Sequence, residues 1–593
     1  MIRLEDFIGR PYEEARAAFR WAVPHLYNIA LDVCDRWADV DPDRPAILYE
    51  SSEGESATWT YGQLRCEANR LANALAALGV GRGDRVAVIL HQRVETAVSH
   101  LACYRMGAVA VPLTRMFGPD ALAYRLDHSG CTVAIADPMV LPALSEVRDR
   151  LPALRTVIVA DGGRAVELPE GDGATRPRHL RWSRLLAEAS ERFTPVVTSP
   201  DDPALIIYTS GTTGPPKGAL HGHRVLLGHL PSVQLYFDFV PQGGEVYWTP
   251  ADWAWIGGAY DLLFPGLRLG GPVVAFETTR FDPERAVALM ARYRVTHVFL
   301  PPTALKMAMP VVRPGAPLVR ALALRAVMSG GEPVSPAILE WAAETLPGVP
   351  LHEIYGQTEA NLVCGNCVRL FPVRPGSMGR PFPGHEVTVL REDGTPAAVG
   401  EPGEVAVRAD GDPVVFLGYW RNPEATREKV RDGWLRTGDV ARRDAEGYFT
   451  FEGRTDDLIT SGAYRIGPAE VEASLLTHPA VAEAAVVGAP DAVRGQVVTA
   501  FVTLRPGYTP SPALAAEIQA HVKRRLAAYA YPRRVEFLEA MPMTTTGKIR
   551  RAELRALVAG QASSSPQRSV RPQGESNPGR PGRAAAINWL ERP

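Results

Sequence analysis

The amino-acid sequence predicts an α/β protein: a large N-terminal domain of α/β subdomains plus a β subdomain, followed by a small α+β C-terminal domain. Three observations carry this prediction. Segments of helical period and apolar runs of strand length alternate over residues 60–137, and the same texture returns twice further along. From about residue 387 to 451 the chain changes to short strands separated by Gly and Asp turns. A compact stretch of about 100 residues then begins near Asp456.

Each element follows from its local pattern. Thr60 is placed to cap a helix through YGQLRCEANRLANALAAL, which ends near Gly79. RVAVIL at 85–90 and AVAVPLT at 108–114 are apolar runs of strand length, with helical spacing at 94–106 between them. Parallel strands buried on both faces read as such unbroken apolar runs. ALIIY at 204–208 and VTHVFL at 295–300 repeat the pattern. Turns such as Glu392-Asp-Gly394 and Asp432-Gly433 punctuate the β subdomain. The last unit reads as a helix at 468–477, a strand at 482–487 and a helix at 513–526. The expected domains are therefore 1–455 and 456–560. Residues 561–593, rich in Ser, Pro, Gly and Arg, read as a disordered tail.

Composition bounds the function. Of 593 residues, 46% are hydrophobic and 22% charged, and 64 basic against 66 acidic side chains leave a net charge of -2. A soluble, multidomain globular protein is expected, with neither nucleic acid nor an anionic membrane as its main partner. No run of about 20 apolar residues is present to span a bilayer. The start, MIRLEDFIGRPYEE, carries acids where a secretory signal needs an apolar run, so the expected location is the cytoplasm. Six cysteines read as reduced thiols, and Cys364-Gly-Asn-Cys367 lacks the second ligand pair that a zinc site needs. Only Lys217, Lys306, Lys429, Lys523 and Lys548 are lysines, the remaining basic residues being arginine. A retained lysine marks a position where a compact ammonium is needed, or one that escaped a compositional drift.

The strongest local signal is YTSGTTGPPKG at 208–218, after an apolar strand and before a helix expected from Gly222. Its glycines let backbone N–H groups approach a phosphate, its hydroxyls donate hydrogen bonds and its lysine adds a point charge. It is not a Walker A loop, because Pro216 and Gly218 flank Lys217.

This loop resembles the signature of the adenylate-forming enzymes: acyl- and aryl-CoA synthetases, peptide-synthetase adenylation domains and firefly-type luciferases. The resemblance covers roughly residues 30–560, and five further motifs follow in family order. Gly331-Glu332-Pro333 resembles the adenine-contacting segment. Tyr355-Gly356-Gln357-Thr358-Glu359 resembles the motif whose Thr meets the α-phosphate and whose Glu binds Mg²⁺, with Glu353 and Ile354 just before it. Thr437-Gly-Asp439 resembles the segment whose Asp holds the ribose. Gly453-Arg454-Thr-Asp456-Asp resembles the hinge, with Arg454 near the ribose and Asp456 as pivot. Pro542 to Lys548 resembles the motif carrying the catalytic lysine. Each motif alone is weak; six in order are not a chance set.

The resemblance implies a two-step reaction using ATP, Mg²⁺ and coenzyme A. A carboxylate attacks the α-phosphorus of ATP, giving an acyl-adenylate and pyrophosphate; a thiol then attacks the acyl carbon and releases AMP. Two anions must meet in the first step, so charge neutralisation and positioning should dominate. Lys548, Thr358, Glu359 and Lys217 are the expected catalytic residues, with Glu359 on Mg²⁺. Thr209, Ser210, Gly211, Thr212, Thr213, Gly214 and Arg465 complete the nucleotide site. In the second step the small C-terminal domain swings about Asp456. The acceptor thiol is coenzyme A or, as an alternative, that of a separate carrier protein. A non-catalytic nucleotide-binding relative is the remaining class.

The motifs are closer to acetyl- and medium-chain acyl-CoA synthetases than to luciferases. In acetate enzymes a Trp stands where this chain has Gly356, and Thr and Val stand at Gly257 and Gly330. The resemblance therefore implies an acid larger than acetate (medium-chain, branched or aryl), in a pocket formed by Trp255, Ile256, Gly257, Gly330 and Gly356. Of Trp248, Trp253 and Trp255, the last is the pocket candidate and the other two read as core. Gly462, Ala463 and Tyr464 border the expected coenzyme tunnel, where the group usually has Gly at the place of Ala463. Lys523, with Arg524, fits either a contact to the coenzyme's phosphate or a solvated helix face.

Overall fold

The computed structural model describes residues 10–162, 166–168, 177–209, 215–278, 281–332, 334, 336–454, 459–462, 464–542, 549 and 551–562. Two large sheets form the first part of the chain. An eight-stranded sheet has the parallel core Arg178–Arg181, Thr156–Val159, Val133–Ala136, Arg85–Ile89, Val109–Pro112 and Pro203–Thr209, and ends in the antiparallel strands Lys217–Gly222 and Gly418–Tyr419. A nine-stranded sheet runs in parallel from Pro45–Glu50 through Val273–Phe276, Tyr247–Trp248, His297–Phe299 and Ala326–Gly330 to Leu351–Gln357, with antiparallel strands at both edges. Four of the parallel strands, Arg85–Ile89, Val109–Pro112, Pro203–Thr209 and His297–Phe299, fall within two residues of the apolar runs read from the sequence, and the others were not assigned there.

The helices Tyr61–Ala77 and Val94–Arg105 lie in one apolar cluster with residues from both large sheets. Thr60 closes the first of them with a reciprocal capping box, accepting from Gln63 N while its own N–H donates to the Gln63 side chain. The outer face of the eight-stranded sheet carries Pro119–Ser129, and that of the nine-stranded sheet carries Pro283–Arg292 and Pro336–Thr345. A third sheet holds Val387–Leu390, Pro402–Arg408, Val430–Arg431, Trp434–Arg443 and Phe449–Arg454, the β subdomain read from the turns. One short helix, Pro423–Lys429, interrupts it, started by Asn422 accepting from Ala425 N.

The fourth sheet belongs to the C-terminal domain: Tyr464–Ile466, Ile459–Ser461, Gly495–Leu504, Val481–Asp491 and Arg534–Phe537. Helices Pro468–Leu476 and Pro512–Arg525 cover one face, and Arg551–Ala562 the other. The first face is continuous with the outer cluster of the eight-stranded sheet. Polar contacts reinforce that junction. Gly118 N donates to Leu526 O, Phe117 bridges Ala527, and Arg525 grips Asp120 with two bonds of 2.5 and 3.1 Å. Burial alone would raise the Asp120 carboxyl, but Arg525 and Arg150 outweigh it and hold it below the usual carboxylate range. Gly118 has no room for a side chain, since a Cβ there would collide with the Arg524 and Arg525 main chain.

One expectation is corrected: the phosphate loop does not lead straight into a helix. Strand Lys217–Gly222 intervenes, and helix Val225–Tyr236 follows. The residues after Lys217 are held between two partner strands, and Gly218 packs against Ile206 where any side chain would clash. Asp120→Ala removes both Arg525 bonds and the Arg150 bond, a loss of about 1–2 kcal/mol for part-exposed pairs. Small-angle scattering should then report a broader spread of domain separations while the main melting transition holds. An unaltered profile would show that the apolar contacts suffice.

Candidate active site

The site forms where three sheets meet. Leu351–Gln357 in the nine-stranded sheet carries Tyr355, Gly356 and Gln357, and the turn after it carries Thr358 and Glu359. Trp434–Arg443 of the β subdomain carries Asp439, buried to 5% exposure. Tyr355 Oη donates to Asp439 Oδ2 at 2.7 Å, and Gln357 Nε2 donates to the same oxygen at 2.7 Å. Gln357 Nε2 also reaches Thr437 O at 2.8 Å, while its Oε1 accepts from Lys429 Nζ at 2.9 Å. The main chain of Arg454 pairs directly opposite Asp439, although the Arg454 side chain lies outside the described residues.

Glu359 accepts from Tyr419 Oη at 2.6 Å, and Lys217 Nζ stands 5.4 Å from the Tyr419 ring centroid. Tyr419 lies on the strand next to Lys217–Gly222, so the eight-stranded sheet delivers both the loop lysine and the tyrosine that orients Glu359. Thr209 closes the loop's base, its Oγ1 donating to Lys217 O at 3.4 Å. Ser210, Gly211, Thr212, Thr213 and Gly214 lie outside the described residues, as do Pro333, Asp456, Ala463, Lys548 and the side chain of Arg465.

Glu359 fits the expected Mg²⁺. It is buried, 6% exposed, and among the described residues no cationic side chain pairs with it. No group of three His, Cys, Asp or Glu able to hold a metal occurs among the described residues. A single carboxylate of this kind suits Mg²⁺, which takes one or two protein carboxylates and completes its shell with phosphate oxygens and water.

Next to this seam, Gly331 adopts φ +89°, a left-handed conformation that glycine enters without strain. Glu332 Oε1 accepts from Thr303 Oγ1 at 2.8 Å. Glu353 is buried, accepts from Val334 N at 3.3 Å, and is pushed up to about 8 by burial. Ile354 is buried beside Gly330.

The hairpin Ile459–Ile466 of the C-terminal domain faces this region. Gly462 sits so close to Thr303 that a Cβ would touch its side chain. Tyr464 stacks on Tyr529 with centroids 3.9 Å apart and planes within 7°, and Tyr529 meets Trp255 edge-on at 6.4 Å. Trp255 meets Phe117 edge-on at 6.2 Å. The structure thus brings the candidate acyl wall and the candidate coenzyme hairpin together. Trp248 and Trp253 are core, at 1% and 0% exposure, and Trp255 is half-buried. Lys523 is exposed on its helix, 5.5 Å from the Tyr531 ring centroid.

The pocket glycines need a correction. They were expected to vacate three positions, but the chain itself fills the space. A Cβ at Gly356 would strike the Asn361 carbonyl across a bulged strand pair, so the strand pairing demands glycine there. At Gly330 the space holds Ile354, and at Gly257 it holds Phe299 and Asp261. Sequence reasoning missed Lys429 as a site residue; its rarity as one of five lysines was the available signal. It also missed Tyr419, whose only mark is its place opposite the loop's strand. Cys364 and Cys367 are buried, and burial pushes both thiols up.

Lys217 at the start of its strand, the buried Glu359 and a second carboxylate, Asp439, held by Tyr and Gln thus lie along one seam, and the family comparison defines the class as adenylate-forming. Residues 34–420 match the AMP-binding enzyme family and residues 470–548 its C-terminal domain, and the chain belongs to that family. It is 35% identical over 557 residues to the mitochondrial acyl-coenzyme A synthetase ACSM3 of Mus musculus, covering 92% of this chain and 93% of that one. Among solved structures it resembles the Brucella canis acyl-CoA synthetase, at TM-score 0.68 and 33% identity over 93% of this chain and 99% of that one. It also resembles the amide bond synthetase McbA of Marinactinospora thermotolerans, at TM-score 0.75 and 28% identity over 90% and 99%. The chain is an AMP-forming acyl-CoA synthetase, a family that uses ATP, Mg²⁺ and coenzyme A.

Two outcomes follow from this geometry. Lys429→Met removes an ammonium bond to Gln357, worth roughly 1.5–3 kcal/mol. The KM for ATP in pyrophosphate release should rise about tenfold or more with kcat less affected; an unchanged KM would make the lysine incidental. Glu353 keeps its proton in the folded state to about 8 against an ordinary 4.5. The unfolded chain ionises first, so stability should fall as pH rises from about 4.5 to about 8. Denaturation midpoints across that range should flatten in Glu353→Gln, and parallel slopes in the two proteins would refute the assignment.

Proposed function

We propose that this enzyme activates a carboxylic acid larger than acetate (medium-chain, branched or aryl) and transfers the acyl group to coenzyme A. The observation that supports the reading is the seam of Glu359, Asp439 and Lys217, with the C-terminal hairpin reaching Thr303 at Gly462 and Trp255 through Tyr464 and Tyr529.

In this reading Asp439 accepts the ribose hydroxyls while Tyr355 and Gln357 hold its carboxylate in place. Thr358 donates to the α-phosphate. Lys217 and the loop 209–214 hold the departing pyrophosphate. Lys548 bridges the attacking carboxylate and the α-phosphate. Mg²⁺ supplies positive charge to the phosphate oxygens when bound by Glu359. Losing one such charge contact typically costs about 3 kcal/mol, roughly a hundredfold in rate. The C-terminal domain, turning about Asp456, then exchanges Lys548 for the hairpin carrying Gly462, Ala463 and Tyr464.

Solved structures that the chain resembles include an anthranilate CoA ligase and an o-succinylbenzoate CoA synthetase, which supports an acid beyond acetate. Trp255 and Ile256 give an apolar wall, which separates homologues by about 1–3 kcal/mol per methylene. A carrier-protein thiol is the alternative acceptor. Six unpaired thiols, five of them buried, support a reducing compartment such as the cytoplasm, while the mammalian relatives are named mitochondrial. Among the described residues no helix is long and apolar enough to cross a membrane.

Pyrophosphate and AMP release should be measured with MgATP across acids from acetate to octanoate plus benzoate, with and without coenzyme A. Coenzyme-dependent AMP release, weakest with acetate, is the expected outcome. Pyrophosphate release that ignores coenzyme A would transfer the second step to a carrier thiol, and acetate as the best acid would overturn the substrate assignment.

A further inference from the structure

Behind the apolar wall lies a polar group that neither reaction step uses. Trp255 leads into Ile256–Gly258 and then a π-helical turn, Ala259–Leu263, which carries Asp261. Such π-turns are rare and often sit at functional sites. Asp261 is 4% exposed, and its Oδ2 stands 3.4 Å from where a Cβ on Gly257 would lie. A helical side chain leans over the preceding turn, so the Asp261 carboxylate covers the Gly257 face of the acyl wall.

Its neighbours are equally buried. His229 Nδ1 approaches Asp261 Oδ1 at 2.9 Å, off the axis of a directed hydrogen bond. His221, between His229 and the main chain of Thr358, is pushed down to about 3 by burial, with His229 adding to the effect. Asp261 Oδ1 and His229 Nδ1 face each other, and His221 meets the Thr358 main chain, while His229 Nε2 is buried with no directed hydrogen bond among the described residues. Each unsatisfied buried polar group destabilises a fold by about 1–3 kcal/mol. Tyr236 fixes the turn itself, donating to Asp261 O at 2.5 Å.

We propose that Asp261, set beside His229 at the end of the acyl pocket, accepts a hydrogen bond from a hydroxyl or amino group on the acid, so that the preferred substrate bears a donor remote from its carboxylate. The proposal rests on the acid-activating reading above and narrows it. A wholly apolar acid leaves the carboxylate buried with His229 alone beside it. An acid with a donor at the right distance pairs it. Sites built to bond a substrate hydroxyl reject the analogue lacking it far more strongly than apolar pockets separate homologues. His229 acts as a positioning residue, holding the carboxylate towards Gly257.

The test uses the full-length enzyme and matched acids: 4-hydroxybenzoate against benzoate, and 6-hydroxyhexanoate against hexanoate. The readout is kcat/KM for pyrophosphate release. The wild-type enzyme should favour the hydroxylated member of at least one pair by about a hundredfold. Asp261→Leu should lower that ratio at least about tenfold by slowing the hydroxylated acid while sparing the plain one. Asp261→Asn, close in shape, should keep the fold and give an intermediate ratio. A fold defect would slow both acids together and leave the ratio alone. Equal or better turnover of the plain acids in both pairs, or the same ratio in all three proteins, overturns the proposal. No pyrophosphate release with any acid overturns the functional reading itself, a result distinct from release without preference.

Discussion

The site depends on one buried carboxylate. Asp439 is nearly sealed from water, and a sealed carboxylate is costly unless donors satisfy it. Here the donors come from another sheet: Tyr355 and Gln357 cross from the nine-stranded sheet to the β subdomain to reach one oxygen. Lys429 then fixes the Gln357 amide, so that its NH₂ rather than its oxygen faces the acid. The same device recurs on the other side of the seam, where Tyr419 of the eight-stranded sheet holds Glu359. The three sheets share apolar clusters, and these two carboxylates add polar ties across the same seam. Polar groups that stabilise the seam are thus the ones a nucleotide would meet.

The C-terminal domain joins this seam by a different logic. Its contact with the eight-stranded sheet is largely apolar, pinned by Asp120 with Arg525 and by the main-chain bond at Gly118. Among the described residues, the hairpin reaches the site through Gly462 beside Thr303, which bonds Glu332, and through Tyr464 stacked on Tyr529, which meets Trp255. Ile549, the chain neighbour of Lys548, packs on the opposite face of the domain's sheet, with Leu538 and Met541. In the proposed two-step reaction the hairpin and that face would be presented in turn.

Much of this was legible in the sequence, and the reasons differ by element. Parallel strands buried on both faces announce themselves as apolar runs, and the Thr60 box and the Asp-Gly turns follow from local chemistry that tertiary context does not override. Strand Lys217–Gly222 was missed because its identity comes from two neighbours, one of them 200 residues away, rather than from its own alternation. The pocket glycines misled for a related reason: a missing side chain marks room only if nothing else moves in, and Ile354 and Phe299 do. Asp261 carried no signal, since a single acid inside an apolar helix has no period to break.

The scarcity of lysine sharpens the account of the site. In a chain that uses arginine almost everywhere, Lys217 and Lys429 stand on either side of the seam. Both places reward a point charge. Lys429 Nζ fits between Gln357 Oε1 and Thr437 O, at 2.9 and 3.3 Å, two acceptors that do not present the flat paired oxygens a guanidinium matches. Lys217 stands at the start of its strand, and in the proposed reaction a flexible stem would follow phosphate positions that shift better than a planar fork. Arginine appears instead where geometry is fixed and bidentate, as in Arg525 on Asp120 and Arg105 on Asp35. The division between the two cations follows the division between scaffold and chemistry.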